Sequence, residues 1–138
     1  MEQVALDTTF LIDLQNERRA RAKPRGALAF LQANQGTELF LPSVALGEYL
    51  EGFDDPHGDD AQALVASLQV LDVTSEVAHL YALTARQLRS RGQLIGSNDL
   101  WIGCTAACAD LPIATRNPAH FRRIPKLKVV SYAAATPP

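Results

Sequence analysis

The segment Val4-Ala5-Leu6-Asp7-Thr8-Thr9-Phe10-Leu11-Ile12-Asp13 constrains the fold more than any other. Three apolar residues run without alternation into an acid, two hydroxyls and a second apolar run. A short continuous apolar stretch reads as a strand buried on both faces, the pattern of a parallel sheet. Asp7 then stands at the carboxyl end of a central strand, the edge at which open α/β sheets bind ligands. With Thr8 and Thr9 beside it, such an acid suits a metal or phosphate site. The same residues also read as a helix cap, since a carboxylate before a helix accepts from its first free N–H groups.

Downstream, strands and helices alternate. Helical signals begin over residues 10–14 and recur over 27–33, ending near Asn34-Gln35-Gly36. A strand over 38–41 stops at Pro42, and Ser43 is placed to cap a helix over 44–51. A helix over 61–68 precedes a strand over 70–73. Ser75 and Glu76 then open the longest helix, along the stripe Val77, Leu80, Tyr81, Thr84 and Leu88. Ser97 or Asn98 caps a helix over 99–109, and strands follow over 111–115 and 127–130. The expectation is one α/β domain over residues 1–132, with 133–138 a frayed tail. Its 138 residues suffice for a real core, and no internal repeat is visible.

Several function classes fall away. The chain shows neither a signal-peptide pattern nor an apolar run long enough to span a bilayer. Cys104 and Cys108 make neither a disulfide framework nor a zinc site and read as buried small residues in a reduced cytoplasm. The loop from Gly52 to Asp60 carries Asp54, Asp55, His57, Asp59 and Asp60, but its spacing fits no EF-hand, and it reads as an exposed loop. Net charge is −2, so attraction to nucleic acid must come from local clusters. Three exist: Arg18 to Arg25, including Arg21 and Lys23; Arg86, Arg89 and Arg91; and Arg116 to Lys126, including Arg122 and Arg123. Each reads as a solvated face or as a phosphate-facing surface.

Three acids share an expected location. Asp7 ends the first strand, Glu48 lies in the helix after the second, and Asp99 opens the helix before the fourth. Right-handed connections bring all three toward one sheet edge. Converging carboxylates repel one another unless a cation neutralises them, and hard oxygen ligands suit Mg²⁺ or Mn²⁺. Such a metal can activate water and stabilise a phosphoryl transition state. Each acid also has a plainer role: Asp99 favours a helix N-terminus, and Glu48 fits the surface of an amphipathic helix.

Four stretches, in order, resemble the PIN-domain ribonucleases, specifically toxins of the VapC and FitB type. They are Leu6-Asp7-Thr8-Thr9-Phe10-Leu11-Ile12-Asp13, Pro42-Ser43-Val44-Ala45-Leu46-Gly47-Glu48, Ser97-Asn98-Asp99-Leu100-Trp101-Ile102-Gly103-Cys104-Thr105-Ala106, and Thr115-Arg116-Asn117-Pro118-Ala119-His120-Phe121. The resemblance implies a three-layer α/β fold with a central parallel sheet of about five strands flanked by helices. It further implies Mg²⁺- or Mn²⁺-dependent cleavage of RNA (tRNA or another structured RNA), a cytoplasmic location, and a cognate antitoxin, and it leaves a homodimer open. By the same analogy Asp7, Glu48 and Asp99 bind metal, and Thr8, Thr9 and Thr115 support them through hydrogen bonds.

The fourth stretch departs from the family. No Asp or Glu lies beyond Thr115, and Asn117 and His120 stand where a further acid is common. Asn117 can offer a carbonyl oxygen or orient a water but carries no charge. His120 reads either as a proton shuttle or as a loop residue packing on the surface. Arg116, Arg122 and Arg123 are the candidates for gripping RNA phosphates. Phe53, Leu94, Ile95 and Trp101 flank polar loops and mark a candidate partner surface. The expected activity is that of a metal-dependent endoribonuclease toxin acting through Asp7, Glu48, Asp99 and Asn117. The rival readings are a catalytically weak RNA- or partner-binding module, and a DNA nuclease or phosphatase using the same metal site.

Overall fold

A computed structural model describes residues 1–19 and 25–132. Arg21 and Lys23 of the first basic cluster and the expected tail at 133–138 lie outside the described residues. Five strands form one parallel sheet in the order β3-β2-β1-β4-β5: β1 (Gln3–Leu6), β2 (Glu38–Pro42), β3 (Gln69–Leu71), β4 (Ile113–Thr115) and β5 (Val129–Ser131). Among the described residues seven helices flank it: α1 (Thr8–Arg18), α2 (Ala27–Ala33), α3 (Ser43–Leu50), α4 (Asp59–Val65), α5 (Ser75–Ser90), α6 (Ser97–Cys108) and α7 (Pro118–Phe121). This is the α/β architecture expected from the alternating apolar segments.

The chain steps outward from β1 to β2 and β3, then returns to lay β4 and β5 on the other side of β1. That reversal makes a switch point between β1 and β4, the kind of place where open α/β sheets bind ligands beyond the carboxyl ends of their strands. The central strand is as dry as its sequence demands: Val4, Ala5 and Leu6 are at most 1% exposed. Phe10, Leu11, Leu41, Leu100, Ile102, Ile113 and Phe121 complete the core around it. None of the described helices is long and apolar enough to cross a membrane.

Several boundaries differ from the sequence expectation, mostly at helix starts. Ser43 is the first helical residue after Pro42, and Ser97 and Asn98 are the first two after Gly96; none caps by its side chain. Asn98 has a different task, described below. The α4 helix begins at Asp59 and ends at Val65, because Asp59 and Asp60 fit a first turn, where the helix dipole favours negative charge. The basic loop after β4 contains the single-turn helix α7, begun by Pro118 at a position that needs no N–H. The longest helix, α5, ends in a left-handed turn at Gly92 (φ 64°), where Gly92 N–H bonds Arg89 O and Gln93 N–H bonds Leu88 O. Only glycine takes that backbone at little cost. Of the four apolar residues expected to mark a partner surface, Ile95 is buried, and Trp101 stacks on Tyr81 with ring centroids 3.8 Å apart. Leu94 is exposed.

Candidate active site

Asp7 occupies the switch point. Its Oδ1 accepts the Phe10 N–H at 3.0 Å, so the residue does cap α1. The same oxygen accepts the Thr9 hydroxyl at 2.8 Å, and Oδ2 accepts the Thr115 hydroxyl at 2.6 Å. The carboxylate that caps α1 therefore also spans the gap between β1 and β4 at the sheet edge. Thr115 ends β4, adjacent to β1 in the sheet, which is why its hydroxyl reaches across. That hydroxyl also accepts the Asn117 N–H at 2.9 Å and so fixes the turn out of the strand.

Burial pushes the Asp7 carboxyl up to about 6; its hydrogen bonds to Thr115, Thr9 and Phe10 pull the other way, and nearby Asp99 adds a small upward push. Neutral donors solvate the carboxylate only in part, and a second acid close by makes its charge harder to keep.

Glu48 projects from α3 toward the same place. Thr8 donates to its Oε1 at 2.6 Å, and Asn98 Nδ2 donates to its Oε2 at 2.9 Å. Thr8 follows Asp7 and Asn98 precedes Asp99, so Glu48 is tied to a direct neighbour of each of the other two acids. Asp99, on the first turn of α6, is more exposed and pairs through Oδ2 with His120 Nδ1 at 3.0 Å. His120 is thereby brought within hydrogen-bond distance of Asp99 while remaining on the surface. The sequence singled it out; only the placement of α7 beside α6 gave it a partner.

The fold thus gathers Asp7, Thr8, Thr9, Glu48, Asp99, Thr115 and Asn117 at one edge. The carboxylates do not form a chelate by themselves. Among the described residues no three acids, histidines or cysteines lie close enough together to hold a metal ion as the side chains stand. Each acid instead faces its own hydroxyl, amide or imidazole partner, as acids that repel one another do. In type, carboxylate and amide oxygens fit a hard divalent cation such as Mg²⁺ or Mn²⁺.

The basic candidates separate. Arg116 donates through Nε to Asp13 Oδ2 at 2.8 Å, Arg123 Nη1 donates to the Gln93 carbonyl at 3.1 Å, and Arg122 is exposed. Three residues at or beside this edge were not picked out by sequence reasoning: Asp13, Tyr132 and, as a site residue, Asn98. Asp13 carried a signal. It lies between Phe10 and Leu14 on the buried stripe of α1, and an acid there requires an internal partner. Nothing in the local pattern marks Tyr132 or Asn98.

Comparison with known proteins agrees with this fold. The family model described as PIN domain matches residues 4–127. The ribonuclease VapC1 of Methanocaldococcus jannaschii is 25% identical over 131 residues, covering 94% of this chain and 87% of that protein. Ribonuclease VapC19 of Mycobacterium tuberculosis is 27% identical over 124 residues, covering 89% and 95%. Among solved structures, VapBC-1 from nontypeable Haemophilus influenzae superposes with a TM-score of 0.77 at 25% identity, over 96% of this chain and 99% of that one. VapBC2 from Rickettsia felis, bound to a promoter DNA fragment, gives 0.78 at 21% identity, over 94% and 98%. With the family model spanning nearly the whole sheet and its acid-lined edge, the chain belongs to the PIN-domain family.

Proposed function

We propose that this protein is the toxin of a toxin–antitoxin pair and acts as a metal-dependent endoribonuclease on RNA phosphodiester bonds. The observation that carries the reading is the burial of Asp7 at the β1/β4 switch point, with Glu48 and Asp99 drawn to it through Thr8 and Asn98. Relatives named ribonuclease, and toxin–antitoxin complexes of the same fold, support the activity and the partner.

Asp7, Glu48 and Asp99 would hold Mg²⁺ or Mn²⁺. When bound, the metal supplies a nucleophile from water at neutral pH and stabilises charge on the phosphoryl group. The protein residues do the rest. Thr9 and Thr115 fix both oxygens of Asp7, so the carboxylate keeps one orientation while it holds charge. Thr8 and Asn98 aim Glu48. His120 steadies Asp99 through Nδ1. Asn117, anchored by its N–H to Thr115, offers a neutral amide at the same edge. Arg116, Arg122 and Arg123 supply positive charge for the RNA backbone. The cognate antitoxin would cover this acidic edge with a basic side chain.

Incubation with total RNA in Mg²⁺, Mn²⁺ or EDTA tests the reading. Discrete cuts in the metals and none in EDTA are expected. RNA binding without cuts would instead favour a catalytically weak binding module, the reading that the uncharged Asn117 supports.

A further inference from the structure

A second internal carboxylate lies on the same helix as the capping acid and takes no part in the scheme above. Asp13 is 2% exposed, and its Oδ2 accepts both Arg116 Nε at 2.8 Å and the Tyr132 hydroxyl at 2.6 Å. Three distant segments meet there: α1, the residue after β4 and the residue after β5. Burial disfavours the Arg116 cation, but Asp13 outweighs it and holds the guanidinium above its ordinary range. Burial and the bond to Asp13 likewise push the Tyr132 phenol well above its usual range, so it remains a donor. Arg116 directly follows Thr115, whose hydroxyl holds Asp7, and directly precedes Asn117. Pinned through Nε, it still keeps 31% of its side chain exposed. A guanidinium is a planar fork, so fixing one nitrogen fixes the direction in which the others point. A cation held in this way loses less freedom on meeting a phosphate than a free surface arginine does.

We propose that Asp13 and Tyr132 are positioning residues for RNA: they hold the Arg116 guanidinium in a set orientation to take a phosphate oxygen beside the Asp7 edge. This rests on the RNA-nuclease reading and deepens it. The competing account is an ion pair that only ties α1 to the end of the sheet. The two accounts predict opposite signs. Asp13→Asn removes a negative charge from a protein of net charge −2, so general electrostatics would make RNA bind equally well or more tightly. Loss of orientation would make it bind more weakly.

The experiment measures the affinity of a fluorescent single-stranded RNA in EDTA, across a salt series, for the wild type, Asp13→Asn, Tyr132→Phe, Arg116→Ala and Arg116→Lys. Thermal melting establishes that each variant is folded at the assay temperature. Asp13→Asn and Tyr132→Phe are each expected to weaken binding about 3- to 10-fold, the range for freeing one long side chain. Tyr132→Phe should leave the salt dependence unchanged, because no charge is lost. Arg116→Ala should flatten the log–log slope by about 0.7, and Arg116→Lys should retain the slope but not the affinity. In the Arg116→Ala background, Tyr132→Phe should have no further effect on binding. Should Asp13→Asn fail to fold, Tyr132→Phe, which keeps the ion pair, decides alone. Wild-type affinity in either variant overturns the proposal, as does an equal Tyr132→Phe effect with and without Arg116. A wild-type protein that neither binds RNA in EDTA nor cuts it in Mg²⁺ or Mn²⁺ overturns the nuclease reading itself, before any variant is compared.

Discussion

Asp7 and Asp13 lie on one helix, one at its cap and one within it, and are almost equally buried at 3% and 2% exposure. Their surroundings differ in a single respect. Asp13 faces a guanidinium and a phenol, so its charge is neutralised from within the protein. Asp7 faces two hydroxyls and one backbone N–H, and Asp99 adds to the negative potential around it. Equal burial with unequal compensation separates a carboxylate whose charge is met by a cation from one whose charge is met by neutral donors alone. Asp13 already has its counter-charge, while Asp7 has neutral donors alone.

The largest effect should come from deleting charge at the open acid. Asp7→Asn and Asp99→Asn are each expected to lower metal-dependent RNA cleavage at least about a hundredfold, since even partners of metal ligands cost 10- to 100-fold. Total-RNA cleavage at saturating Mn²⁺ measures this, and near-wild-type rates in either variant would place the site elsewhere.

Next in size is the pH dependence of stability. Asp7 is raised from an ordinary 3.8 to about 6, so the folded chain holds its proton more tightly than the unfolded chain. The stabilisation from that proton is full below about pH 4 and is lost as pH rises through about 6. The displacement corresponds to about 3 kcal/mol between those limits. Asp7→Asn should abolish this loss and melt above the wild type at pH 7.5 in EDTA. A melting curve independent of pH over this range would contradict the contrast with Asp13.

A cation should act in the same direction as the proton. Mg²⁺ or Mn²⁺ at a hundredfold excess over its dissociation constant stabilises by about 2.7 kcal/mol. Thermal melting should show this shift in the wild type and in Tyr132→Phe but not in Asp7→Asn or Asp99→Asn. The smallest effect is that of a single neutral donor. Thr115→Val removes one bond to a buried carboxylate and should cost about 1–3 kcal/mol above pH 7, and less at pH 4, where Asp7 is protonated. Denaturant titrations at the two pH values provide the comparison.

Much of this was legible in the chain. The dry run from Val4 to Leu6 announced a central parallel strand because alternation was missing, and Asp7 at its end announced the edge. The order of apolar segments gave five strands and placed Glu48 and Asp99 on the helices that bear them. The helix starts at Ser43 and Ser97 were misjudged because a serine before an apolar run suits the cap and the first turn alike, and the preceding residue's backbone decides. Ile95 read as part of a partner surface because it flanks a polar loop, yet packing buries it.

The sequence by itself determined the sheet, the capping acid and the types of donor at its edge, since these follow from local periodicity and side-chain chemistry. Only the tertiary structure decided which partner each acid received. Thr115 is 108 positions from Asp7, Asn98 is 50 from Glu48, and Tyr132 is 119 from Asp13. Contacts over such separations leave no periodic trace along the chain. They arise when β1, β4 and β5 pair and α6 and α7 pack together, and that packing assigns one buried carboxylate a cation and the other only hydroxyls and an amide.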